Sequence, residues 1–465
     1  MSASPPSRYG RDLTVGSLPR QMIAFALPML ASVVLLMAYS FVNAIWVGRY
    51  LGKTALAAVT ISFPIFMVLV ALGGGLTLAA NILVAQHVGA GRRGGLGRIV
   101  DTSVVLTGSV ALVFFVIGEV FAESLMRLMQ TPPDVLAPAT SYMRIFMLSQ
   151  PFGFGMFLMR NLLQGLGDST TPLYVQSGSI GLNIVLDPVL MFGWLGLPRL
   201  GLQGTAWAST IAQAAALIVL LLYLHRQHNP VAPRWRRLQV HLPTLWTLLR
   251  IGVPASVQQS LVSIAMLCVI GLVNGFGVTA IAAFGAATRL EQLVLVPAMV
   301  FGLAISTVSG QNLGANKLHR VHGTFRWGIV LSGSATVLAS AITLLAPQLL
   351  LKMFITDAEV IREGMTYLQV VAPFYVFLAL MFVGNGIING AGDTLATTMI
   401  AVISQLVVRI PLAVLLIRVL HSVTGVWIAI AVSFVISMLA SFAYYRSGRW
   451  QRARVAAAPA VTQGD

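Results

Sequence analysis

Charged residues are scarce in this sequence. Only 9% of its 465 residues are Asp, Glu, Lys or Arg, whereas soluble domains carry about 25%. The single cysteine, Cys268, excludes an intramolecular disulfide and a thiolate metal site. The seven histidines lie in loops or at the ends of hydrophobic runs, without metal-ligand spacing, and a P-loop motif is absent. We therefore expect neither an enzyme nor a bound cofactor, and direct use of ATP by this chain is disfavoured.

Long hydrophobic runs, in contrast, are abundant. Hydrophobic residues make up 57% of the chain, and runs such as 23–47 and 203–224 reach the roughly 20 residues that a helix needs to cross a bilayer. Twelve spans are predicted, at 21–47, 54–85, 99–121, 136–164, 171–195, 203–225, 246–274, 279–310, 324–347, 360–388, 395–419 and 423–445. The sequence therefore predicts an all-α polytopic membrane protein with twelve transmembrane helices.

The basic residues indicate the topology. Of the 29 Lys and Arg, 18 are assigned to the side of the membrane that holds both termini and seven to the opposite side, with those near a span end counted on that side, while Arg144, Arg160, Arg289 and Arg409 are assigned to the spans themselves. Because basic loops stay in the cytoplasm, we predict cytoplasmic termini in a multi-pass protein of a bacterial plasma (inner) membrane. The same rule accounts for the net charge of +16, so no nucleic-acid partner is expected.

The two halves of the chain repeat the same rare residues. A shift of 225 maps Gly52 and Thr54 onto Gly277 and Thr279, Gln86, Gly89 and Ala90 onto Gln311, Gly314 and Ala315, and Gly165-x-Gly167-Asp168 onto Gly390-x-Gly392-Asp393. Each copy holds an even number of spans, so the repeats are parallel, and their interface is the expected place for a central cavity. We predict two six-helix bundles, 21–225 and 246–445, a cytoplasmic linker at 226–245, and cytoplasmic tails at 1–20 and 446–465.

Asp187 is the strongest candidate for a functional residue within a span. Ionisable groups are costly inside a bilayer and often mark ion pathways. Asn183 lies one turn before Asp187, so the two side chains share a helical face, and Pro188 frees a nearby backbone carbonyl. The carboxylate, amide and carbonyl oxygens could coordinate Na⁺, with Asp187 and Asn183 as its ligands. The carboxylate alone could carry a proton. A structural role, in which Asp187 caps or braces helices, is the alternative.

Other polar residues within spans are weaker candidates. Asn43 lies deep in the first span and Thr205 begins the sixth, and such residues more often join helices than bind ligands. Arg289 and Glu291 are two positions apart and do not share a helical face. For these two residues and Arg409, a structural ion pair and a position in the cavity lining are both open.

Short motifs stand near the ends of many spans. They are Val47-Gly48-Arg49, Gln86-His-Val-Gly89-Ala90, Gln164-Gly165-Leu-Gly167-Asp168, Asn183-Ile-Val-Leu-Asp187-Pro188, Gly252-Val-Pro254, Arg289-Leu-Glu291, Gln311-Asn-Leu-Gly-Ala315 and Arg409-Ile-Pro411. Together they resemble the MATE (multidrug and toxic compound extrusion) family of transporters over residues 20–445. The resemblance implies twelve helices in two lobes and the export of organic cations driven by inward H⁺ or Na⁺.

Within that family the sequence is similar to the DinF-like branch. The resemblance implies a cation site in the N-terminal half, whose Asn, Asp and Thr fall on Asn183, Asp187 and Thr205. Asn43 stands where that branch has a carboxylate on its first helix, so Asp187 is the only acid of the implied site. The acids of the NorM branch, in the seventh and tenth helices, have no counterpart here. Ion binding is expected to bend the first helix near Pro28, the implied conformational hinge.

The leading hypothesis is a secondary active antiporter. It would export cationic, amphipathic organic compounds in exchange for H⁺ or Na⁺ by alternating access, as a monomer whose partners are the small-molecule substrate and the lipid bilayer. Two alternatives are open from the sequence: a flippase of related fold for a lipid-linked precursor, and a membrane scaffold without transport activity. A flippase would be expected to line its cavity with several basic residues, whereas only four Arg are assigned to the spans themselves.

Overall fold

The structure, a computed structural model, describes residues 10–453. Within that range the side chains at positions 44, 45, 53, 56, 63, 64, 195 and 237 are not described. The outer parts of the two predicted tails, 1–9 and 454–465, lie outside the described residues. The described chain is helical almost throughout and contains no strand, which confirms the all-α prediction.

The helices follow one another with short connections. They are α1 (Leu18–Trp46), α2 (Gly52–Gly89), α3 (Leu96–Leu128), α4 (Pro133–Gly165), α5 (Thr170–Phe192), α6 (Leu202–Arg226), α7 (Leu242–Asn274), α8 (Val278–Gly314), α9 (Leu318–Leu345), α10 (Pro347–Lys352), α11 (Ala358–Val371), α12 (Tyr375–Ala391), α13 (Thr394–Ala401), α14 (Arg409–Leu420) and α15 (Thr424–Ser447). Two π-helical stretches continue these helices, Val47–Leu51 after α1 and Val402–Val408 between α13 and α14.

The helices correspond to the twelve predicted spans. Among the described residues, eleven helical segments are long and apolar enough to cross a membrane, and two of these, Ala358–Ala391 and Thr394–Leu420, each combine two helices. The twelfth is α4, which at 33 residues is also long enough but contains Arg144 and Arg160. The prediction of an all-α polytopic membrane protein is confirmed, with these eleven segments and α4 at the twelve predicted positions. Helix α10 is an additional helix of six residues.

Two matching turns follow α4 and α12. Gly167 and Gly392 have φ angles of +87° and +96°, a left-handed conformation that glycine adopts without steric cost. Asp168 then accepts hydrogen bonds from two N–H groups at the start of α5, both at 2.9 Å, and Asp393 accepts one at the start of α13 at 3.4 Å. The two acids therefore cap the helices that follow, at equivalent positions of the two repeats.

The chain divides into two compact units. The first contains Leu27–Val84 and Arg92–Arg250 together with the described residues up to Asp12, and the second contains Leu13–Ala26, Ala85–Gly91 and the chain from Ile251. Helices α1, α2 and α7 thus contribute residues to both units. The division within α1 falls between Ala26 and Leu27.

In the first unit, the segment between α6 and α7 is fixed to α3 by an ion pair. Arg234 donates from Nε to Asp101 Oδ2 at 3.0 Å, and its Nη2 donates to the same oxygen. The Asp101 side chain is 0% exposed, whereas that of Arg234 is 55% exposed. The His241 N–H also donates to Thr102 Oγ1 at 3.1 Å. These contacts hold the predicted linker, 226–245, against α3.

Replacing Arg234 by Ala is expected to destabilise the first unit more than replacing Asp101 by Ala. Arg234→Ala leaves a buried carboxylate without its partner, at a cost of about 2 kcal/mol, below the full cost for a buried pair because the guanidinium is half exposed. Asp101→Ala leaves Arg234 free to reach water and should cost less. Chemical unfolding in detergent measures both variants, and equal losses would contradict this asymmetry.

Aromatic side chains form the centre of the second unit. The rings of Phe284 and Trp427 stack with centroids 5.4 Å apart, and Tyr367 packs edge-on against both at 5.7 and 4.9 Å. The three residues belong to one buried core to which α8, α11 and α15 contribute. Such packing fixes the relative position of these three helices because large rigid rings leave few alternative arrangements.

The ends of α2 and α8 cross at two glycines within the second unit. A Cβ atom on Gly89 would lie 1.8 Å from the carbonyl oxygen of Gln311, and one on Gly314 would lie 2.0 Å from that of Gln86. The Gln86 side chain also donates from Nε2 to the Gly390 carbonyl at 2.8 Å. Only glycine allows the two backbones to approach so closely, because any side chain would overlap the opposite carbonyl.

Candidate functional site

Asp187 and Asn183 lie on one buried face of α5 in the first unit. Asp187 is 1% exposed and Asn183 is 6% exposed. The four-residue spacing places both side chains on the same side of the helix, as the sequence predicts. The helix continues through Pro188. Since proline has no N–H, it cannot donate the usual helical hydrogen bond to the carbonyl of Ile184.

The amide of Asn183 is oriented by its neighbours. With the nitrogen towards Asp187, Nδ2 lies 3.1 Å from each carboxylate oxygen of Asp187 and 2.8 Å from Tyr39 Oη. Oδ1 of Asn183 then accepts from the N–H and the hydroxyl of Ser209 at 3.3 and 3.2 Å. The reverse orientation would set the amide oxygen against the oxygens of an ionised carboxylate, so the hydrogen bonds decide the assignment.

Helices α1 and α6 complete this arrangement. Tyr39 Oη accepts from Asn43 Nδ2 at 3.0 Å and lies 3.5 Å from Ser209 Oγ. Tyr142 of α4 is close enough to Asp187 to interact with it electrostatically. The hydrogen-bonded group is here named the Asp187 cluster, and it comprises Tyr39, Asn43, Asn183, Asp187 and Ser209.

Thr205 lies near the cluster but is bonded elsewhere. It is 2% exposed and precedes Ser209 by one turn of α6. Its hydroxyl donates to the Leu202 carbonyl at 2.9 Å, and no hydrogen bond between the described residues joins it to Asp187. The structure thus brings together Asp187, Asn183 and Asn43, three of the four residues implied by the family resemblance, and places Thr205 beside them.

Sequence reasoning does not identify Tyr39 and Ser209. The available signal is their spacing, because Tyr39 precedes Asn43 by four residues and Ser209 follows Thr205 by four. Each therefore shares a helical face with a residue that the sequence does single out. Aromatic and small hydroxyl residues are frequent in membrane helices, however, so spacing alone does not separate these two from their neighbours.

The cluster contains one acid and no cation. Apart from Asp187, every side chain that forms a hydrogen bond within it is neutral. An isolated carboxylate at membrane depth is costly unless an ion or a proton neutralises it. Neutralisation of Asp187 would therefore take a proton or Na⁺. Asn183 could add its amide oxygen only if the amide turned round.

The predicted residues Arg289, Glu291 and Arg409 lie in the second unit. Arg289 is exposed on α8, whereas Glu291 accepts a hydrogen bond from Tyr367. The two therefore lie on different faces of the helix, as their spacing predicts. Arg409, on α14, is 8% exposed, and its Nε donates to Ser433 Oγ at 2.8 Å.

Known proteins share both the sequence and the repeat of this chain. A profile of the MatE family matches it twice, over residues 28–189 and 254–415. The probable multidrug resistance protein YoeA of Bacillus subtilis (strain 168) is 32% identical over 431 residues, which cover 92% of this chain and 93% of that protein. The probable multidrug resistance protein YpnP of the same organism is 29% identical over 445 residues, covering 95% and 97%.

Solved structures share the fold. A crystal structure of MATE in the bent conformation has a TM-score of 0.88 at 22% identity, covering 95% of this chain and 97% of that chain. One of MATE in complex with MaD3S has a TM-score of 0.87 at 22% identity, covering 95% and 98%. The resemblance predicted from the short motifs is thereby confirmed. The chain belongs to the MatE family of multidrug efflux transporters, and it is a membrane transporter rather than an enzyme.

Proposed function

We propose that this chain is a secondary active antiporter that exports cationic, amphipathic organic compounds in exchange for H⁺ or Na⁺ by alternating access. One observation carries the proposal: Asp187 is buried among neutral hydrogen-bonding groups of α1, α5 and α6. The proposed location is a bacterial plasma (inner) membrane with both termini in the cytoplasm. The division of basic residues, 18 on one side and seven on the other, supports this orientation.

An exchangeable ion at Asp187 would change the charge of the whole cluster. Without the ion, the carboxylate is an anion that Asn183 stabilises through two contacts of 3.1 Å. With H⁺ or Na⁺ bound, the same group is neutral and attracts a cationic substrate less strongly. Ion and substrate then weaken each other's binding, and this reciprocal coupling is what an antiporter requires.

The proposed hinge is Pro28 in α1. A proline within a helix removes one backbone hydrogen bond and favours a bend. The Pro28 carbonyl accepts a hydrogen bond from Ser32 Oγ at 3.0 Å, and the division between the two compact units, between Ala26 and Leu27, falls one residue before this proline. Because Tyr39 lies on the same helix, a bend at Pro28 would be sensitive to the ion held by the Asp187 cluster.

Asp187→Asn is expected to abolish gradient-driven export. Asparagine keeps the size and hydrogen-bonding capacity of the side chain but can neither take up a proton nor neutralise Na⁺. In inverted membrane vesicles, uptake of ethidium is measured under an imposed pH gradient and, separately, under an imposed Na⁺ gradient. With Asp187→Asn, uptake should fall to that of vesicles without the protein under both gradients.

Asp134→Asn is the matched control for this experiment. Asp134 is exposed in the first turn of α4, in the same unit as Asp187, and its replacement should leave transport at the wild-type rate. Undiminished export by Asp187→Asn would refute the proposal. The gradient that supports export by the wild-type protein identifies the coupling ion.

A further inference from the structure

The second unit contains an acid that has no part in the Asp187 cluster. Glu291 of α8 accepts a hydrogen bond on Oε2 from Tyr367 Oη of α11. Tyr367 is 1% exposed, and the aromatic rings of Phe284 and Trp427 hold it in place. Glu291 is therefore bound by a rigid donor within the unit.

A buried guanidinium belongs to the same region. Arg409 donates from Nε to Ser433 Oγ at 2.8 Å, and its Cζ lies 5.3 Å from the centre of the Phe434 ring. Its Nη2 is buried and has no hydrogen-bond partner among the described residues. A buried unpaired donor costs free energy and requires an explanation in a native structure.

The helix is irregular immediately before Arg409. The stretch Val402–Val408 is π-helical, and the Arg409 N–H donates to the carbonyl of Ser404, five residues earlier. One extra residue in a turn rotates the following part of the helix by about 100°. Such π-helical turns are frequent at functional sites. The irregular turn thus sets the direction in which Arg409 projects.

Tyr375 supplies a second unpaired donor. The side chain is 0% exposed, and its Oη has no partner among the described residues. Both Tyr375 and Arg409 interact electrostatically with Glu291. Yet Glu291 and Arg409, whose side chains are both described, do not form an ion pair within 4.0 Å. An acid and two donors therefore lie near one another without being joined.

Among the described residues, the other charged groups on the packed helices form no ion pair or hydrogen bond with Glu291 or Arg409. On α9 the charged residues fall between 319 and 326, close to the point where α8 ends. Glu291 lies about 35 Å from that end along α8. On α10, Lys352 is exposed. On α11, Glu363 accepts from Trp427 Nε1 at 3.4 Å. On α15, Arg446 lies in the last turn.

We propose that Glu291 is a second proton-exchange group of this transporter, which pairs with Arg409 and Tyr375 when it is deprotonated. The carboxylate then accepts from Arg409 Nη2 and Tyr375 Oη, so both unpaired donors gain a partner. Uptake of a proton by the carboxylate neutralises it and releases them. The exchanged ion is H⁺ and not Na⁺, because an unpaired guanidinium repels a metal cation. This inference rests on the proposed antiport and gives it a second ion-binding group.

Counting protons tests this role. Purified protein in weakly buffered detergent solution is titrated with ethidium, and the protons released per bound dye molecule are measured from the pH change. Glu291→Gln is expected to release one proton fewer than the wild-type protein. Glu291→Asp shortens the side chain but keeps the acid, so it should retain that proton. The two variants together separate the loss of the acid from a loss of packing.

Glu363→Gln is the matched control, because Glu363 lies one turn before Tyr367 on α11. This variant should release as many protons as the wild-type protein. Equal release by Glu291→Gln and the wild-type protein would overturn the inference. The variant Asp187→Asn distinguishes a failure of this inference from a failure of the proposed function. A wild-type count in Asp187→Asn with a reduced count in Glu291→Gln would refute the role of Asp187 and support that of Glu291.

Discussion

Replacing Gly314 by Ala is expected to destabilise the second unit by about 3 kcal/mol, at the upper end of the cost of adding a group to a packed interior. The new Cβ would lie 2.0 Å from the Gln86 carbonyl oxygen, so the backbone of α2 or α8 would have to move. Alanine is intrinsically the better helix former by about 1 kcal/mol. The close contact therefore outweighs the helix preference of alanine, and the net effect on stability is a loss. Gly89→Ala should cause a comparable loss, because its Cβ would lie 1.8 Å from the Gln311 carbonyl oxygen.

Gly285→Ala is the control within the same helix as Gly314. No atom lies within 4 Å of a Cβ at this position, so the helix preference of alanine should appear undiminished. Thermal unfolding in detergent should occur at or above the wild-type temperature for Gly285→Ala and clearly below it for Gly314→Ala. Equal unfolding temperatures for the two variants would show that the crossing of α2 and α8 is looser than described.

Asn183→Leu is expected to weaken ion-coupled export about 100-fold. The substitution keeps the side-chain volume but removes the donor to both oxygens of Asp187 and the acceptor for Ser209. Hydrogen bonds to charged groups contribute about 1.5–3 kcal/mol each, and about 1.4 kcal/mol corresponds to a tenfold change in binding. The dependence of ethidium export on the size of the imposed ion gradient, measured in proteoliposomes, reports this loss.

Asn43→Leu provides the comparison on α1. Asn43 donates to Tyr39 at 3.0 Å and, among the described residues, not to the acid, and a hydrogen bond between neutral groups contributes about 1 kcal/mol. We expect a loss of about fivefold. If Asn43→Leu impaired export as strongly as Asn183→Leu, the direct contact between Asn183 and Asp187 would not be the main stabilising interaction of the cluster.

The long helices and their turns could be predicted because the bilayer imposes strict rules. A hydrophobic run of sufficient length has few alternatives to a spanning helix, and the glycine-aspartate turns at 167–168 and 392–393 mark where α5 and α13 begin. The short helix α10 and the π-helical stretch Val402–Val408 could not be predicted. Six residues are too few for a periodic pattern that would mark α10 as a separate helix. The sequence of Val402–Val408 suits an ordinary α-helix equally well, and the packing around it selects the π-helical form.

The part of the candidate site that lies on a single helix could be predicted from the sequence. Asp187 and Asn183 share a face through their spacing on α5, which is a local property of the sequence. Their contacts with Tyr39 and Ser209 depend on which helices pack against α5 and at what height, and spacing along a single helix does not encode that. Asn43 followed from the family resemblance, whereas its attachment through Tyr39 required the structure.

The contact between Gly89 and Gly314 is self-complementary. Each repeat supplies the same two parts, a glycine and, three residues earlier, a glutamine whose carbonyl oxygen fits against the other glycine. Reciprocal pairing of this kind, in which residue i meets j and j meets i, defines an isologous contact between identical subunits. One copy of the repeat therefore contains both the glycine and the glutamine that the contact needs. In the duplicated chain the two copies are covalently linked, whereas two separate copies would have to meet by diffusion.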